Sequence, residues 1–231
     1  MKRFYDKATA ERGEDGWHVA LDGRHIKTQG GHMLVLPNAE TAQLLAGEWA
    51  AQGQDIDPAS FTMRDLADYA LDVVAADPDA AVTALLSYAE TDTLCYRADP
   101  DEPLWKRQQD VWEPLLNACE TREGIKLQRV SGVMHRPQDK EALARLRARL
   151  EAMDYLTLAA LTTLASLAAS LMIGLPALEP DADGEALWRA ANLEEDWQAE
   201  RWGHDAEAAE RGAKRRKHFL AAIAFARTLR I

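Results

Sequence analysis

Few residues in this sequence have the types and spacing that catalysis or metal binding would require. Glu200 and His204 lie four positions apart, as in half of a helical di-metal site, but Gly203 interrupts the helix and no second pair exists. Asp68 and Asp72 lie one helical turn apart and could form an acid–base pair, although capping or solvated carboxylates are the favoured interpretation. The sequence has no glycine-rich phosphate loop after a strand. We therefore predict no catalytic residue, no metal and no cofactor.

A stripe of Glu194, Gln198 and Trp202, spaced four residues apart, is the more unusual candidate. On a helix these side chains share one face, and a charge, an amide and an aromatic ring suit a dry core poorly. A structural role for Glu194 would require a basic partner such as Arg201 or Arg215. A role in recognising another protein would leave Glu194 exposed, and aromatic residues are enriched at the centres of protein interfaces. We predict recognition, with aromatic residues that belong to the core as the alternative.

The composition of the chain limits the partners that it can have. The 231 residues carry a formal net charge of -11, which disfavours nucleic acids and anionic membranes because both require a basic face. The basic run Lys214–His218 is interpreted as a solvated face that compensates the acidic helix before it, with an acidic partner as the alternative. Cys95 and Cys119 lie far apart, and the first residues lack an apolar signal region. These features predict a cytoplasmic protein.

Residues 1–57 are predicted to form a small β-rich domain with one helix. Trp17–Leu21 alternates apolar and polar residues, and Asp22-Gly23 is a strong two-residue hairpin signal. His25–Thr28 can be the returning strand, and Met33–Leu36 a third strand of a meander. A meander of this size is not stable alone and must pack on another element.

The rest of the chain is predicted to be helical, which gives an α+β fold. A first helix should end near Ala51, and Trp49 on it should clamp the helix to the meander. Residues 58–231 would form a helical domain around one buried central helix at about residues 155–175. That segment is uncharged, but it is rich in Ala, Ser and Thr and lacks the flanking anchors of a membrane span. The last two helices are predicted at Gly184–Arg201 and Asp205–Arg230.

An ordered set of short motifs runs over nearly the whole chain. These motifs are R-F-Y (Arg3–Tyr5), L-D-G-R (Leu21–Arg24) with Lys27-Thr28, E-W-A-A-Q (Glu48–Gln52), T-D-T-L-C-Y-R (Thr91–Arg97), Gln108 with W-E-P-L-L (Trp112–Leu116), and L-E-E-D-W-Q-A-E-R-W-G (Leu193–Gly203). Together they resemble those of the assembly chaperones for the α subunit of F-type ATP synthase, a family known in mitochondria as complex assembly factor 2. The segment after Gly203 departs from the family pattern, and Gln29 replaces a usual proline.

This resemblance implies a binding protein and not an enzyme. Family members hold the free α subunit of F1-ATPase before the β subunit joins it, and they are absent from the finished synthase. The implied protein is a monomer when free, has no nucleic-acid or membrane partner, and carries a small β-rich region on a larger helical one. A general holdase and a helical metal- or small-molecule-dependent enzyme are the alternatives. The motifs place client binding at Glu194, Gln198 and Trp202, and structural roles at Trp49, Asp92 and Trp112.

Overall fold

Three strands near the start of the chain form an antiparallel sheet, and most of the remaining chain is helical. The computed structural model describes residues 1–132, 134–203 and 205–230. The strands are β1 (Ala8–Arg12), β2 (Trp17–Leu21) and β3 (Arg24–His25), followed by a parallel pair, β4 (Tyr96–Arg97) and β5 (Val130–Ser131). The helices are α1 (Ala39–Ala50), α2 (Thr62–Tyr69), α3 (Pro78–Glu90), α4 (Pro103–Glu123), α5 (Lys140–Glu151), α6 (Tyr155–Ala168), α7 (Leu171–Ala177), α8 (Gly184–Ala191), α9 (Leu193–Trp202) and α10 (Ala206–Thr228). The predicted α+β class is confirmed, and the domain boundary at residue 57 stays a prediction.

The hairpin between β2 and β3 has the backbone that its sequence predicts. Asp22 and Gly23 have φ values of 49° and 79°, and the left-handed region at both positions suits a two-residue turn. The strand predicted at Trp17–Leu21 is confirmed, and it pairs with β1 so that Ala8 lies opposite Leu21. The sequence does not predict β1, because its inward positions are small alanines that give little apolar signal.

The third strand predicted at Met33–Leu36 is wrong. Within the described residues this segment makes isolated bridges, from Met33 to Lys27 and from Leu36 to Trp17, and no ladder. Leu34 and Leu36 are buried, so the apolar pattern reflects side chains inserted into the core. The returning strand is also shorter than predicted, since β3 ends at His25.

Trp49 lies where α1 meets the N-terminal segment. It is 7% exposed, and its ring lies 5.6 Å from that of Tyr5 and 4.4 Å from that of Phe61, between ring centroids. The Tyr5 hydroxyl donates a hydrogen bond of 2.6 Å to the Trp49 carbonyl. The ring therefore joins α1 to residues on both sides of it in sequence, and its structural role stays a prediction.

The end of α10 meets the start of α1. Asn38 caps this helix by accepting from the Thr41 amide at 2.9 Å, and its Nδ2 donates to the Thr228 carbonyl at 2.6 Å. The buried Thr41 hydroxyl also bonds the Thr228 hydroxyl at 2.9 Å. The last turn of α10 is thereby fixed to the first turn of α1.

The uncharged segment 155–175 is buried, but the prediction of one continuous helix is wrong. Helix α6 ends at Ala168, the next residue Ala169 has a left-handed φ of 48°, and α7 begins after Ser170. The Ser170 hydroxyl accepts from the Ile173 amide at 3.0 Å, as an N-cap should. The sequence gives no signal for this break, because the alanine and the serine at it also occur within helices. No helix among the described residues has the length and apolarity that a membrane crossing requires.

The fully buried carboxylate of Asp92 holds α7 against the end of α3. It accepts from the Ser170 hydroxyl at 2.7 Å, from the Met172 amide at 2.9 Å and from the Leu94 amide at 3.1 Å. A buried carboxylate at a helix N-terminus satisfies amides that would otherwise lack partners. Burial raises the pKa of Asp92 to about 6, against hydrogen bonds that lower it.

The fully buried Trp112 connects α4 to α8. Its Nε1 donates to the Ala190 carbonyl at 2.7 Å, and the Arg97 guanidinium lies 5.3 Å from the ring centroid. The sequence also predicts a bend or a break at Pro114, and α4 continues through it without interruption. A single side chain therefore fixes the spacing between two helices that lie far apart in sequence.

We predict that Asp92 makes stability depend on pH. Because its folded pKa of about 6 exceeds the ordinary value of 3.8, the native state holds the proton more tightly. The free energy of unfolding should then fall as pH rises from about 4 to about 6, by at most about 3 kcal/mol. Asp92→Asn cannot titrate, so urea denaturation at several pH values should show a flatter profile. Equal slopes for the two proteins would contradict this assignment.

We also predict that Trp49→Ala lowers the free energy of unfolding by about 3–5 kcal/mol, because it leaves a cavity between Tyr5 and Phe61. Trp49→Arg should cost more, since it buries a charge. Trp202→Ala is the matched control, as that side chain is 76% exposed, and it should change stability by no more than about 0.5 kcal/mol. A normal melting temperature for Trp49→Ala would exclude a structural role.

Candidate protein-binding site

The stripe of Glu194, Gln198 and Trp202 lies on α9, which begins after a break that the sequence does not predict. The helix predicted over Gly184–Arg201 is two helices, because Asn192 leaves the helical conformation and its Nδ2 donates to the Trp188 carbonyl at 2.8 Å. Leu193 is buried and anchors the start of α9. Exposure to solvent increases along the stripe from this buried residue. Glu194 is half-buried, Gln198 is exposed, and Trp202 is 76% exposed.

Glu194 has a polar partner, which is neither Arg201 nor Arg215. Its carboxylate accepts from Nε2 of Gln108 on α4 at 2.6 Å. Gln108 is fully buried, and its Oε1 accepts from the Ala98 amide at 2.8 Å. The amide therefore joins α9 to the loop before α4. A structural role for Glu194 is expected to require a basic partner. In the structure its partner is instead the amide of the buried Gln108, and the Glu194 side chain is half-buried.

The arginines on either side of α9 make other contacts. Arg107 binds Glu200 through two hydrogen bonds of 2.5 and 2.9 Å, and these bonds raise the pKa of Arg107. Arg201 stacks on Trp197 of the same helix, 4.6 Å from the ring centroid. Arg215 donates to the Leu167 carbonyl at 2.8 Å. The contact between Arg107 and Glu200, like that between Gln108 and Glu194, holds α9 against α4.

A cleft of about 820 Å³ opens between α9 and α10, and we call it the α9–α10 cleft. The α10 side presents small residues, Ala208, Ala209, Gly212 and Ala213. The α9 side carries Gln198 and Trp202, so two of the three predicted residues line this cavity and Glu194 does not. A concave surface with small residues on one wall and an exposed indole on the other can accept an apolar side chain.

The charges around the α9–α10 cleft are mostly paired within the chain. Arg216 forms a salt bridge with Glu185 that raises the pKa of Arg216, and Arg215 lies 3.5 Å from Glu195. Lys214 pairs with Glu210 one turn earlier, at 2.7 Å. The basic run on α10 therefore neutralises carboxylates of α8, α9 and α10. The resulting rim is polar but has little excess charge.

The other candidates for chemistry have structural contacts. Asp72 accepts from the Thr28 hydroxyl at 2.6 Å, from the Gly30 amide at 2.8 Å and from His32, and these bonds lower its pKa against the effect of burial. Asp68 is buried and contacts the same turn through the Gln29 amide at 3.3 Å. The two carboxylates therefore hold the turn, and the predicted capping or solvated role is wrong.

Cys95 and Cys119 are buried, and burial raises the pKa of each thiol to about 12. Thiols with such a high pKa are poor nucleophiles and poor metal ligands. Within residues 1–132, 134–203 and 205–230, no group of three His, Cys, Asp or Glu side chains could hold a metal ion. His204, considered above with Glu200, lies outside the described residues.

Sequence reasoning missed the roles of Gln108 and Arg107. Gln108 is part of a quoted motif, yet its partner Glu194 lies 86 positions away, and local spacing carries no signal for such a pair. Arg107 and Glu200 are separated by 93 positions. The useful signal is that Gln108 lies on the apolar face of α4, one turn before Trp112, where a lone polar side chain needs a partner.

Two fungal mitochondrial proteins are similar to most of this chain. Protein atp12 of Schizosaccharomyces pombe is 26% identical over 216 residues, which cover 88% of this chain and 74% of that protein. Protein ATP12 of Saccharomyces cerevisiae is 26% identical over 276 residues, which cover 97% of this chain and 84% of that protein. The similarity thus extends across both the β-rich and the helical parts.

Solved bacterial structures share the fold. The crystal structure of Atp12 from Paracoccus denitrificans matches with a TM-score of 0.92 and 34% identity, over 99% of this chain and 98% of that one. The Atu1473 protein of Agrobacterium tumefaciens matches with a TM-score of 0.95 and 37% identity, over 99% of this chain and 86% of that one. The order of strands and helices described above is therefore that of these relatives.

These matches define the class of protein as a chaperone. Residues 2–120, slightly more than half of the chain, match the family described as ATP12 chaperone protein. The chain belongs to the ATP12 chaperone family. The resemblance indicated by the sequence motifs is thereby confirmed.

We predict that Glu194 contributes to stability through Gln108. Glu194→Ala leaves the buried Gln108 amide without its acceptor and should lower the free energy of unfolding by about 1–2 kcal/mol. Glu194→Gln keeps an acceptor oxygen and should cost less. The control is Gln198→Ala, an exposed position on the same helix, which should stay within about 0.5 kcal/mol of the wild type. Chemical denaturation of the three variants distinguishes these values, and an unchanged Glu194→Ala would contradict the contact.

Proposed function

We propose that this protein binds the unassembled α subunit of F1-ATPase and shields its interface from aggregation until assembly proceeds. Membership in the ATP12 chaperone family supports a role in assembly of the F1 sector. The observation that carries the finer proposal is Trp202, a large aromatic residue that is 76% exposed beside the α9–α10 cleft. An exposed indole costs solubility unless it is used for binding.

The client in this proposal is a subunit whose interface is still exposed. A subunit that has not yet met its partners exposes an interface whose centre resembles a protein core, and such a surface aggregates. A cleft walled by alanine and glycine, with Trp202 on the opposite side, can cover one or more apolar side chains of that surface. The indole adds a large contact area at little cost in conformational entropy.

The charges around the cleft support reversible binding. Arg216 and Glu185, like Arg215 and Glu195, are paired with each other before any client arrives. A client that lies across this rim gains few new ion pairs, so affinity depends on the apolar contact at the centre. Such an interface suits a chaperone that must release its client when the β subunit binds.

In the proposed function, this protein acts only by binding its client. It uses no nucleotide, metal or cofactor, it is monomeric when free, and in a bacterium it works in the cytoplasm. The buried thiols, and the aspartates held to the turn at residues 28–32, supply no reactive group for an enzymatic alternative. Shielding should therefore be stoichiometric, with one chaperone for each client.

We predict that the purified protein suppresses aggregation of refolding F1-ATPase α subunit at near-equimolar ratio without ATP. Light scattering measures this directly, and no suppression at a few-fold excess would contradict the proposal. Unrelated unfolded proteins provide the specificity control: if they compete equally with the α subunit, the protein is a general holdase.

Trp202→Ser should abolish most of that suppression while leaving the melting temperature unchanged, because the indole is exposed. Met134→Ser is a matched control, since Met134 is 77% exposed and lies outside the α9–α10 cleft. Removing one central aromatic contact should weaken binding by at least about 2 kcal/mol. Equal activity of the two variants would remove Trp202 from the client-binding surface.

A further inference from the structure

A second concave surface lies where the N-terminal segment, the β2–β3 hairpin and helices α1 and α2 meet. Its volume is about 510 Å³, and it shares no lining residue with the α9–α10 cleft. We call it the hairpin pocket. Its lining residues are Phe4, Tyr5, Leu21, Asp22, Arg24, His25, Ile26, Lys27, Trp49 and Arg64.

One side of the hairpin pocket is formed by three aromatic rings in mutual contact, of which the outermost, Phe4, is exposed to solvent. Phe4 is 65% exposed, and its ring meets that of Tyr5 edge-on at 5.4 Å between centroids. Tyr5 in turn meets the buried Trp49. Tyr5 and Trp49 serve the core, whereas Phe4 does not pack against it. An exposed phenylalanine at the mouth of a pocket therefore has no evident role in folding.

The hairpin pocket is also lined by cationic side chains. Arg24 and Lys27 are exposed, and among the described residues neither has an ion-pair partner. The Arg64 guanidinium lies 5.5 Å from the centroid of the Trp49 ring and forms a salt bridge of 3.5 Å with Asp68. Three positive side chains in one pocket are unusual in a chain whose formal net charge is -11.

The carboxylate within the hairpin pocket is already engaged. Asp22 accepts from the Lys7 amide at 2.8 Å and from the Asp6 amide at 3.1 Å, and these bonds lower its pKa. The Asp22 carboxylate therefore binds the backbone of the N-terminal segment and does not pair with Arg24 or Lys27. The side chains of Arg24 and Lys27 keep their charges available for a ligand.

We propose that the hairpin pocket is a second docking site for the protein client, which inserts an apolar side chain flanked by carboxylates. The aromatic wall would hold the apolar side chain, and Arg24 and Lys27 would pair with the carboxylates. A nucleic acid would meet the same cations but also the repulsion of the acidic chain as a whole, so an acidic protein segment fits better. The inference rests on the proposed function for the identity of the client.

The test is the affinity of F1-ATPase α subunit for the double variant Arg24→Glu with Lys27→Glu, measured at low and at high salt. We expect binding to weaken about tenfold at low salt, with a smaller difference at high salt because salt screens exposed charges. The neutral pair Arg24→Gln with Lys27→Gln should fall between the double variant and the wild type. Phe4→Ser should weaken binding at both salt concentrations.

The control is Arg12→Glu with Arg230→Glu, which changes the net charge equally at two exposed positions outside both cavities. This variant should bind within about twofold of the wild type, since distant exposed charges are screened. If the pocket variant and this control bind equally well, the docking inference is wrong and the proposed function stands. If the wild type fails to bind the α subunit, both are overturned.

Discussion

The buried carboxylate of Asp92 is the contact on which the helical part of the molecule depends. It accepts hydrogen bonds from Ser170, Met172 and Leu94 with no solvent access. A charge or a neutral acid in such a position is tolerated only when its bonds are satisfied. Because two of these partners, Ser170 and Met172, lie 78 and 80 positions away, this one group fixes the place where α6 ends and α7 begins.

Helix α4 connects the helical core to the candidate site through hydrogen bonds to α8 and α9. Trp112 sets the distance to α8 through the Ala190 carbonyl, and Gln108 sets the distance to α9 through Glu194. The α9–α10 cleft thus has one rigid wall, since α9 is held at its start by Leu193 and along its length by Arg107. Rigid walls favour affinity because less motion is lost on binding.

Several features of the fold could be predicted from the sequence, because they depend on local patterns. The Asp22-Gly23 hairpin, the first helix ending near Ala51, and the buried segment after Asp154 all have adjacent signals. The breaks at Ala169 and Asn192 have none, since alanine and asparagine are tolerated in helices. The first break is fixed by the long-range hydrogen bonds of Asp92, and the second by a local bond from Asn192 to the Trp188 carbonyl. The order of the motifs identified the family, which periodicity alone could not.

The candidate site could be predicted only in part, for the same reason. Gln198 and Trp202 share a face because they are four residues apart, and the packing of α10 makes that face a wall of the cleft. Glu194 obeys the same spacing, yet its environment is set by Gln108 on another helix. The cations of the hairpin pocket are likewise brought together by tertiary structure, since Arg64 comes from α2 and Arg24 from the sheet.

The hydrogen bonds from Asn38 and Thr41 to Thr228 constrain the order in which the chain can fold. They join positions 190 and 187 residues apart, so these contacts at the first turn of α1 form only when the last turn of α10 exists. On the ribosome, the β-rich part must therefore wait for residue 228 before its packing is finished. Contacts of such sequence separation are slow to form. The chain itself thus passes through a period with an exposed core, the same hazard that a chaperone guards against in its client.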